Sequence, residues 1–249
     1  MILTSKNNPL IKETAALKEK KGRKETGLFL VEGWKMAREC QKSDFEIDRV
    51  FVSESYDGEI AFPEELIVRV SDEVFRHLSD EKTPQGILCR ARIPAPTLAP
   101  PKGNCLLLDG VADPGNLGTI LRTANAAGYS EVYLTKECAD PYSPKSVRAS
   151  MSGVFFTKIY RAERAQILSV LKEIPILIAD MGGANVFLYA PPKQFALVIG
   201  NEANGVSEEV KKAAFHTVKI PMQDTQESLN AAISAGIIMY VLQKDVFSE

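Results

Sequence analysis

The sequence predicts an α/β protein in two parts: a small α/β module over residues 1–93 and a doubly wound parallel-sheet domain over 104–249, joined by a proline-rich linker at 94–103. Three observations carry this. Short apolar runs alternate with segments of helical periodicity along the whole chain. In the second part those runs are continuously apolar, as strands covered on both faces require. Between the parts, the stretch from Ile93 to Pro101 holds four of the fourteen prolines, and such a run cannot sit inside a helix or a central strand.

Taken in order, the first module offers helix candidates at about 7–21, 33–42 and 71–79. They alternate with β-type runs at Leu28–Val31, Val50–Val52, Leu66–Val68 and Gly86–Cys89. Downstream, strands are expected at Cys105–Leu108, Val132–Leu134, Phe155–Phe156, Ile176–Ile178 and Phe195–Ile199. Helices are expected between and after them, near 116–127, 163–173, 207–215 and 228–243. Strand followed by helix, repeated, gives a doubly wound sheet, and such sheets hold ligands beyond the carboxyl ends of their strands.

Composition excludes several classes. With 249 residues, 45% apolar and 25% charged, the chain can bury a core. The longest uncharged stretch, Leu229 to Gln243, is 15 residues and mixed in polarity, short of the roughly 20 apolar residues of a membrane span. The start of the chain has no apolar segment behind a basic one, so a cytoplasmic protein is expected. Cys40, Cys89, Cys105 and Cys138 form no C-x-x-C pair, and with only His77 and His216 beside them neither a metal site nor a disulfide framework is expected. The net charge is −2, yet residues 1–40 hold nine Lys/Arg against five Glu. Lys18, Lys20, Lys21, Arg23 and Lys24 cluster there, as a solvated helix face or as an arm that meets phosphates.

Three loops carry unusual residues. The first runs from Asp109 to Gly118, where Pro114, Gly115 and Asn116 make a tight turn. Asn116 reads as the cap of the following helix, which carries Arg122 and stops at Gly128. No G-x-G-x-x-G occurs, which argues against a dinucleotide-binding dehydrogenase. The second loop, Gly200 to Ser207, presents Glu202 as its only charge between two glycines. The third, Ile220 to Asn230, leads into a helix that is apolar almost all round and therefore buried in the fold or against a partner chain. Either Ser228 or Asn230 can cap it.

In this order and spacing, DPGNLGTILRTANAAG, LVIGNEANGVS and IPMQDTQESLNAAISAG resemble the three motifs of the SpoU (TrmH) group of SPOUT RNA ribose methyltransferases, over residues 104–243. The segment Tyr142 to Ser150, with Lys145 and Arg148, is similar to a further stretch of that group, and Phe29 to Gly33 resembles the start of its small ribosomal-protein-like substrate-binding domain. Asp224 stands where the group often has Gly, and Ala231-Ala232 where Val-Ser is usual.

The resemblance implies an α/β trefoil knot that binds S-adenosyl-L-methionine (SAM) through Gly200, Ile220 and Leu229, largely by main chain. It implies methyl transfer to a ribose 2′-hydroxyl, with catalytic positions at Asn116, Arg122, Glu202, Ser228 and Asn230. An arginine stays protonated, so Arg122 suits stabilisation of the 2′-oxygen or clamping of the adjacent phosphate. Asn116 and Asn230 would orient Arg122 or the ribose. The group's homodimers borrow this arginine from the neighbouring subunit, which also accounts for an apolar last helix. An added N-terminal domain favours ribosomal over transfer RNA as substrate, because a folded RNA needs a second contact surface. Lys18, Lys20, Lys21, Arg23, Lys24, Lys145 and Arg148 are the expected RNA contacts. A catalytically silent RNA-binding member of the same fold is the alternative; SAM binding discriminates the two.

Overall fold

A computed structural model of the chain describes residues 1–225 and 228–247. Gln226 and Glu227 of the third loop lie outside the described residues. Two sheets organise the molecule. The first contains β1 (Ile2–Leu3), β2 (Leu28–Glu32), β3 (Ile47–Ser53), β4 (Ile67–Val70) and β5 (Ile87–Arg92), in the order β1-β4-β3-β5-β2. Its strands are mixed: β1, β4 and β3 run parallel, while β5 is antiparallel to both β3 and β2. Helices α1 (Pro9–Ala16), α2 (Lys20–Thr26), α3 (Trp34–Lys42) and α4 (Asp72–Leu78) surround it.

The basic segment that reads as one helix over 7–21 is two. Pro9 starts α1 with Asn8 capping the amide of Leu10 at 2.9 Å. Its end is set by Arg23, whose Nη1 donates to the carbonyls of Leu17 at 2.8 Å and Lys18 at 2.9 Å. Those carbonyls are thereby satisfied without a continuing helix.

The second sheet is parallel throughout and has the order β11-β9-β10-β6-β7-β8. Its strands are β6 (Cys105–Asp109), β7 (Glu131–Thr135), β8 (Lys158–Ala162), β9 (Ile176–Asn185), β10 (Ala196–Gly200) and β11 (His216–Lys219). Helices α5 (Pro114–Ala126), α6 (Pro144–Ser150), α7 (Gly153–Phe156), α8 (Arg164–Val170), α9 (Glu208–Lys212) and α10 (Ala231–Leu242) cover the faces. Central strands β6 and β7 are buried at every position, as their continuous apolarity requires.

The two outer strands depart from expectation. Phe155 and Phe156 belong to α7, and the strand is β8 just after them. At the edge of the sheet β8 exposes Lys158 and Arg161, so it lacks the continuous apolar run that marks its neighbours. The opposite edge, β11, escapes the sequence pattern for the same reason, since His216 is exposed and only Val218 fully buried. It pairs with a β9 much longer than Ile176–Ile178. Gly182-Gly183 disguises that length, and a side chain at Gly183 would come within 2.6 Å of the Thr217 and Val218 backbone.

Residues 93–103 carry no helix or strand, but they are tied down. The Tyr133 hydroxyl donates to the carbonyl of Ala99 at 2.7 Å, and the amide of Lys102 to Glu131 at 2.7 Å. The sheets meet along an aromatic seam, Phe29 against Tyr142 at 5.0 Å and Phe45 against Phe155 at 5.5 Å between ring centroids. Beside it Arg23, 4% exposed, grips Asp140 through Nε at 2.9 Å and Nη2 at 2.7 Å. No described helix is long and apolar enough to cross a membrane.

Candidate active site at the carboxyl ends of the second sheet

Strands β6, β10 and β11 of the parallel sheet all end at its carboxyl edge, β6 beside β10 and β11 beyond the intervening β9, and the three loops singled out by sequence leave from those ends. They enclose a cleft of about 400 Å3. Gly200, Glu202, Ile220, Ser228, Leu229 and Asn230 all line it. Its walls are apolar (Ile199, Val218, Ile220, Leu229, Ile238), and main-chain groups of Gly200 and Gly205 contribute polar edges.

One hydrogen-bonded chain crosses all three loops. Glu202 accepts from the side-chain amide of Asn116 at 2.9 Å and from the backbone amides of Ala112 at 3.2 Å and Asp113 at 3.3 Å. Burial alone would raise the Glu202 pKa, but these donors outweigh it and hold the carboxyl below its ordinary value. The group is therefore an anion at neutral pH. Asn116 in turn accepts from the Asn230 amide at 3.0 Å. Asn230 caps α10, its side-chain oxygen accepting from the amides of Ala232 at 2.9 Å and Ile233 at 3.3 Å. This settles which of Ser228 and Asn230 is the cap.

Asn116 is not a cap. Helix α5 begins at Pro114, and Asp113 caps it by accepting from the Asn116 amide at 2.8 Å. A proline at the first helical position needs its cap one residue earlier. That leaves the Asn116 side chain for the bridge between Glu202 and Asn230. Asp113 is held below the ordinary carboxylate range by Lys145, whose Nζ lies 2.8 Å away, and by the Asn116 amide.

Arg122 is not brought to this cluster. Six residues beyond Asn116, it is about 1.7 turns and 9 Å further along α5, on another flank. It is exposed and makes no hydrogen bond or ion pair among the described residues. Helix α10 packs against α5. Helix α10 buries Ala232, Ala235, Ile238, Met239 and Leu242 but leaves Ile233 and Tyr240 exposed at 56% and 44%.

The expected RNA contacts divide. Lys20, Lys21 and Lys24 are exposed. Arg23 is corrected: buried and paired with Asp140, it is a structural cation, because three of its donor nitrogens are spent inside the protein. Lys18 is corrected too, being half-buried with its amine on the carbonyls of His77 at 2.8 Å and Ser79 at 3.5 Å. Arg148 reaches Glu81 at 2.7 Å and Asp80 at 3.4 Å but remains half exposed, as does Lys145.

Sequence reasoning missed Ala179, Asp180 and Met181, which line the cleft from the extension of β9, and Met222 and Ser234 beside them. The signal was the apolar continuation from Ile176 to Ala179, which the expected strand Ile176–Ile178 stops short of. Among the described residues, no group of three or more His, Cys, Asp or Glu could hold a metal ion.

Comparison with known proteins agrees with this geometry. The SpoU rRNA Methylase family matches residues 103–240, and the MRM3-like substrate binding domain matches 8–89. The chain is 30% identical to the 23S rRNA (guanosine(2553)-2′-O)-methyltransferase RlmP of Bacillus subtilis, covering 97% of this chain and 98% of that protein. Its fold is similar to the AdoMet-bound rRNA methyltransferase from Sinorhizobium meliloti, with a TM-score of 0.88 and 28% identity over 100% of this chain and 99% of that one. It is also similar to the SpoU methyltransferase AviRb from Streptomyces viridochromogenes in complex with AdoMet, with a TM-score of 0.84 and 25% identity over 97% and 99%. The α/β architecture is thus that of the SPOUT methyltransferases with an N-terminal domain, and the chain belongs to the SpoU rRNA methylase family of RNA methyltransferases.

Proposed function

We propose that this protein transfers a methyl group from SAM to a ribose 2′-hydroxyl of 23S ribosomal RNA. The observation that carries the reading is the Glu202–Asn116–Asn230 chain closing one side of an apolar cleft. Neutral adenine suits apolar walls and backbone donors, so the cleft fits the adenosyl group, with Gly200, Ile220 and Leu229 holding it. When bound, SAM supplies a methyl group activated by its sulfonium. The chain's own part is positioning, which can account for roughly 7–11 kcal/mol of such a barrier. Glu202 stays ionised and fixes Asn116, and Asn116 with Asn230 presents amide groups toward the incoming ribose. Ser228, on the same rim, offers it a hydroxyl. RlmP and the rRNA methyltransferase from Sinorhizobium meliloti support the ribosomal target. Mapping 2′-O-methyl groups in ribosomal and transfer RNA from cells with and without the gene tests it: loss of a 23S site is expected, and loss confined to transfer RNA overturns the assignment.

The domain division we favour is RNA binding over 1–93, a linker over 94–103 and the methyltransferase, with its knotted path, over 104–249. The gap between β5 and β6 supports it, as do the separate family matches. From this proposed action on ribosomal RNA we infer that the protein works in the cytoplasm. The working unit is a homodimer, in which the apolar stripe of α10 is covered and Arg122 serves the cleft of the other copy. Sedimentation at micromolar concentration is expected to give a dimer, and Tyr240→Glu at the exposed stripe to shift it to monomer.

Lys20, Lys21 and Lys24 remain as the phosphate-binding groups of the N-terminal part, joined by Lys145 and Arg148 once RNA displaces their exposed ion pairs. Neutralising the three N-terminal lysines together is expected to weaken RNA binding and to flatten the dependence of log K on log salt by about 0.7–0.9 for each phosphate no longer neutralised. An unchanged slope in a salt titration would mean that they only solvate the surface.

A further inference from the structure

The loop that carries Glu202 is held at both ends by residues outside the catalytic positions. It leaves β10 at Gly200 and is pinched shut at once, with Asn201 and Gly205 exchanging two backbone hydrogen bonds of 2.9 Å each. A side chain at Gly200 would lie 2.3–2.5 Å from the Gly205 and Val206 backbone, so only glycine permits the pinch. At the entry, the Asn201 side-chain amide donates to the carbonyl of Gly110 at 2.8 Å. At the exit, the Ser207 backbone amide donates to Asp109 at 2.8 Å. Asp109 and Gly110 are consecutive, at the end of β6, so one dipeptide fixes both ends of the loop.

Asp109 is an unusual anchor. It is 2% exposed, and its carboxylate is fully committed, one oxygen to the Ser207 amide and the other to Arg164 Nε at 2.8 Å. Arg164, at the start of α8, is itself mostly buried, and it also reaches Glu137 at 3.4 Å and Glu209 at 3.9 Å. A buried carboxylate costs several kcal/mol unless paired and hydrogen-bonded, and replacing such a pair by apolar residues is often neutral or stabilising. Stability alone therefore gives little reason to place a charge here. A charge-assisted hydrogen bond, shorter and more directional than a neutral one, does fix a backbone amide in space.

We propose that Asp109 and Arg164 form a positioning pair for the methyl-transfer site, holding the Glu202 loop so that its carboxylate meets Ala112, Asp113 and Asn116. Neither residue touches the cleft, so both act through the loop. The inference rests on the role proposed for Glu202. A displacement on the order of 1 Å at a reacting centre can cost about a hundredfold in rate, which sets the scale expected for a loosened loop.

The test uses the full-length protein with Asp109→Asn, Arg164→Met, Arg164→Lys and Glu202→Gln. Asp109→Asn keeps an acceptor for Ser207, and the double variant Asp109→Asn/Arg164→Met removes both charges, so that at least one variant strands no buried charge. Three quantities are read: kcat and KM for RNA, melting temperature, and amide hydrogen exchange of residues 200–207. Arg164→Met and the double variant are expected to lower kcat about ten- to a hundredfold at unchanged RNA KM. Exchange in 200–207 is expected to rise at least tenfold over that of β10, and Arg164→Lys to recover part of both. Full turnover in the double variant, or losses that merely follow the melting temperature without selective exchange, overturns the pair as a positioning device. If Glu202→Gln itself keeps full turnover, the role of Glu202 fails and the inference fails with it. If Glu202→Gln is impaired and the double variant is not, only the positioning pair is refuted.

Discussion

Arg122→Ala is expected to lower methyl transfer by about a hundred- to a thousandfold, the usual cost of removing one group that stabilises developing charge, while SAM affinity changes by less than about threefold. The separation follows from the fold. Arg122 lines no part of its own cleft and is exposed on another flank of α5 than Asn116. Mixing supplies a sharper check. Arg122→Ala and Glu202→Gln subunits are each expected to be inactive alone, but in the proposed dimer a mixed pair has one cleft with an intact Glu202 facing an intact Arg122 from the other copy. Random pairing should restore on the order of a quarter of wild-type turnover. No recovery on mixing would place the arginine in its own subunit's cleft or outside the reaction.

Asp140→Ala is expected to destabilise the protein by roughly 3–5 kcal/mol, because it strands the Arg23 guanidinium where water cannot reach it. For a chain of this size that lowers Tm by about 6–20 °C, readable by calorimetry. Arg23→Met in the same background should recover much of the loss, since the uncompensated charge is then gone. The measurement also decides between two accounts of Arg23. A phosphate-binding role would leave Tm untouched by Asp140→Ala and alter only RNA binding.

These cases show where the sequence is informative. The site is legible because its parts are local: glycine, asparagine and one glutamate in loops that follow apolar runs, each loop within about ten residues. The capping role expected of Asn116 fails by three positions, because Pro114 moves the start of α5 and Asp113 takes the cap. Arg23 fails for a different reason. Its partner Asp140 is 117 positions away, and charge counting cannot separate a buried cation from the solvated Lys20, Lys21 and Lys24 beside it. The central strands announce themselves by unbroken apolarity, while edge strands β8 and β11, with one side toward solvent, carry polar residues and are misplaced or missed. Reading β9 as three residues hides one wall of the cleft.

The order in which the two sheets close has a consequence for biosynthesis. Every strand of the first sheet is present once residue 92 has emerged, so it can fold while the rest is still being made. Arg23 must then wait for Asp140, and the aromatic seam for Tyr142 and Phe155. The cleft waits longest, since α10 supplies one of its walls and Asn230 one end of its polar chain. At roughly 5–20 residues per second, a nascent chain spends on the order of ten seconds as a finished first sheet with an exposed aromatic face. On the phosphate-binding role proposed for Lys20, Lys21 and Lys24, it can already touch RNA in that interval, yet it has no cleft with which to modify it. Translation thus separates the capacity to bind from the capacity to act, and agents that stall ribosomes past residue 92 should accumulate a species that occupies RNA without methylating it.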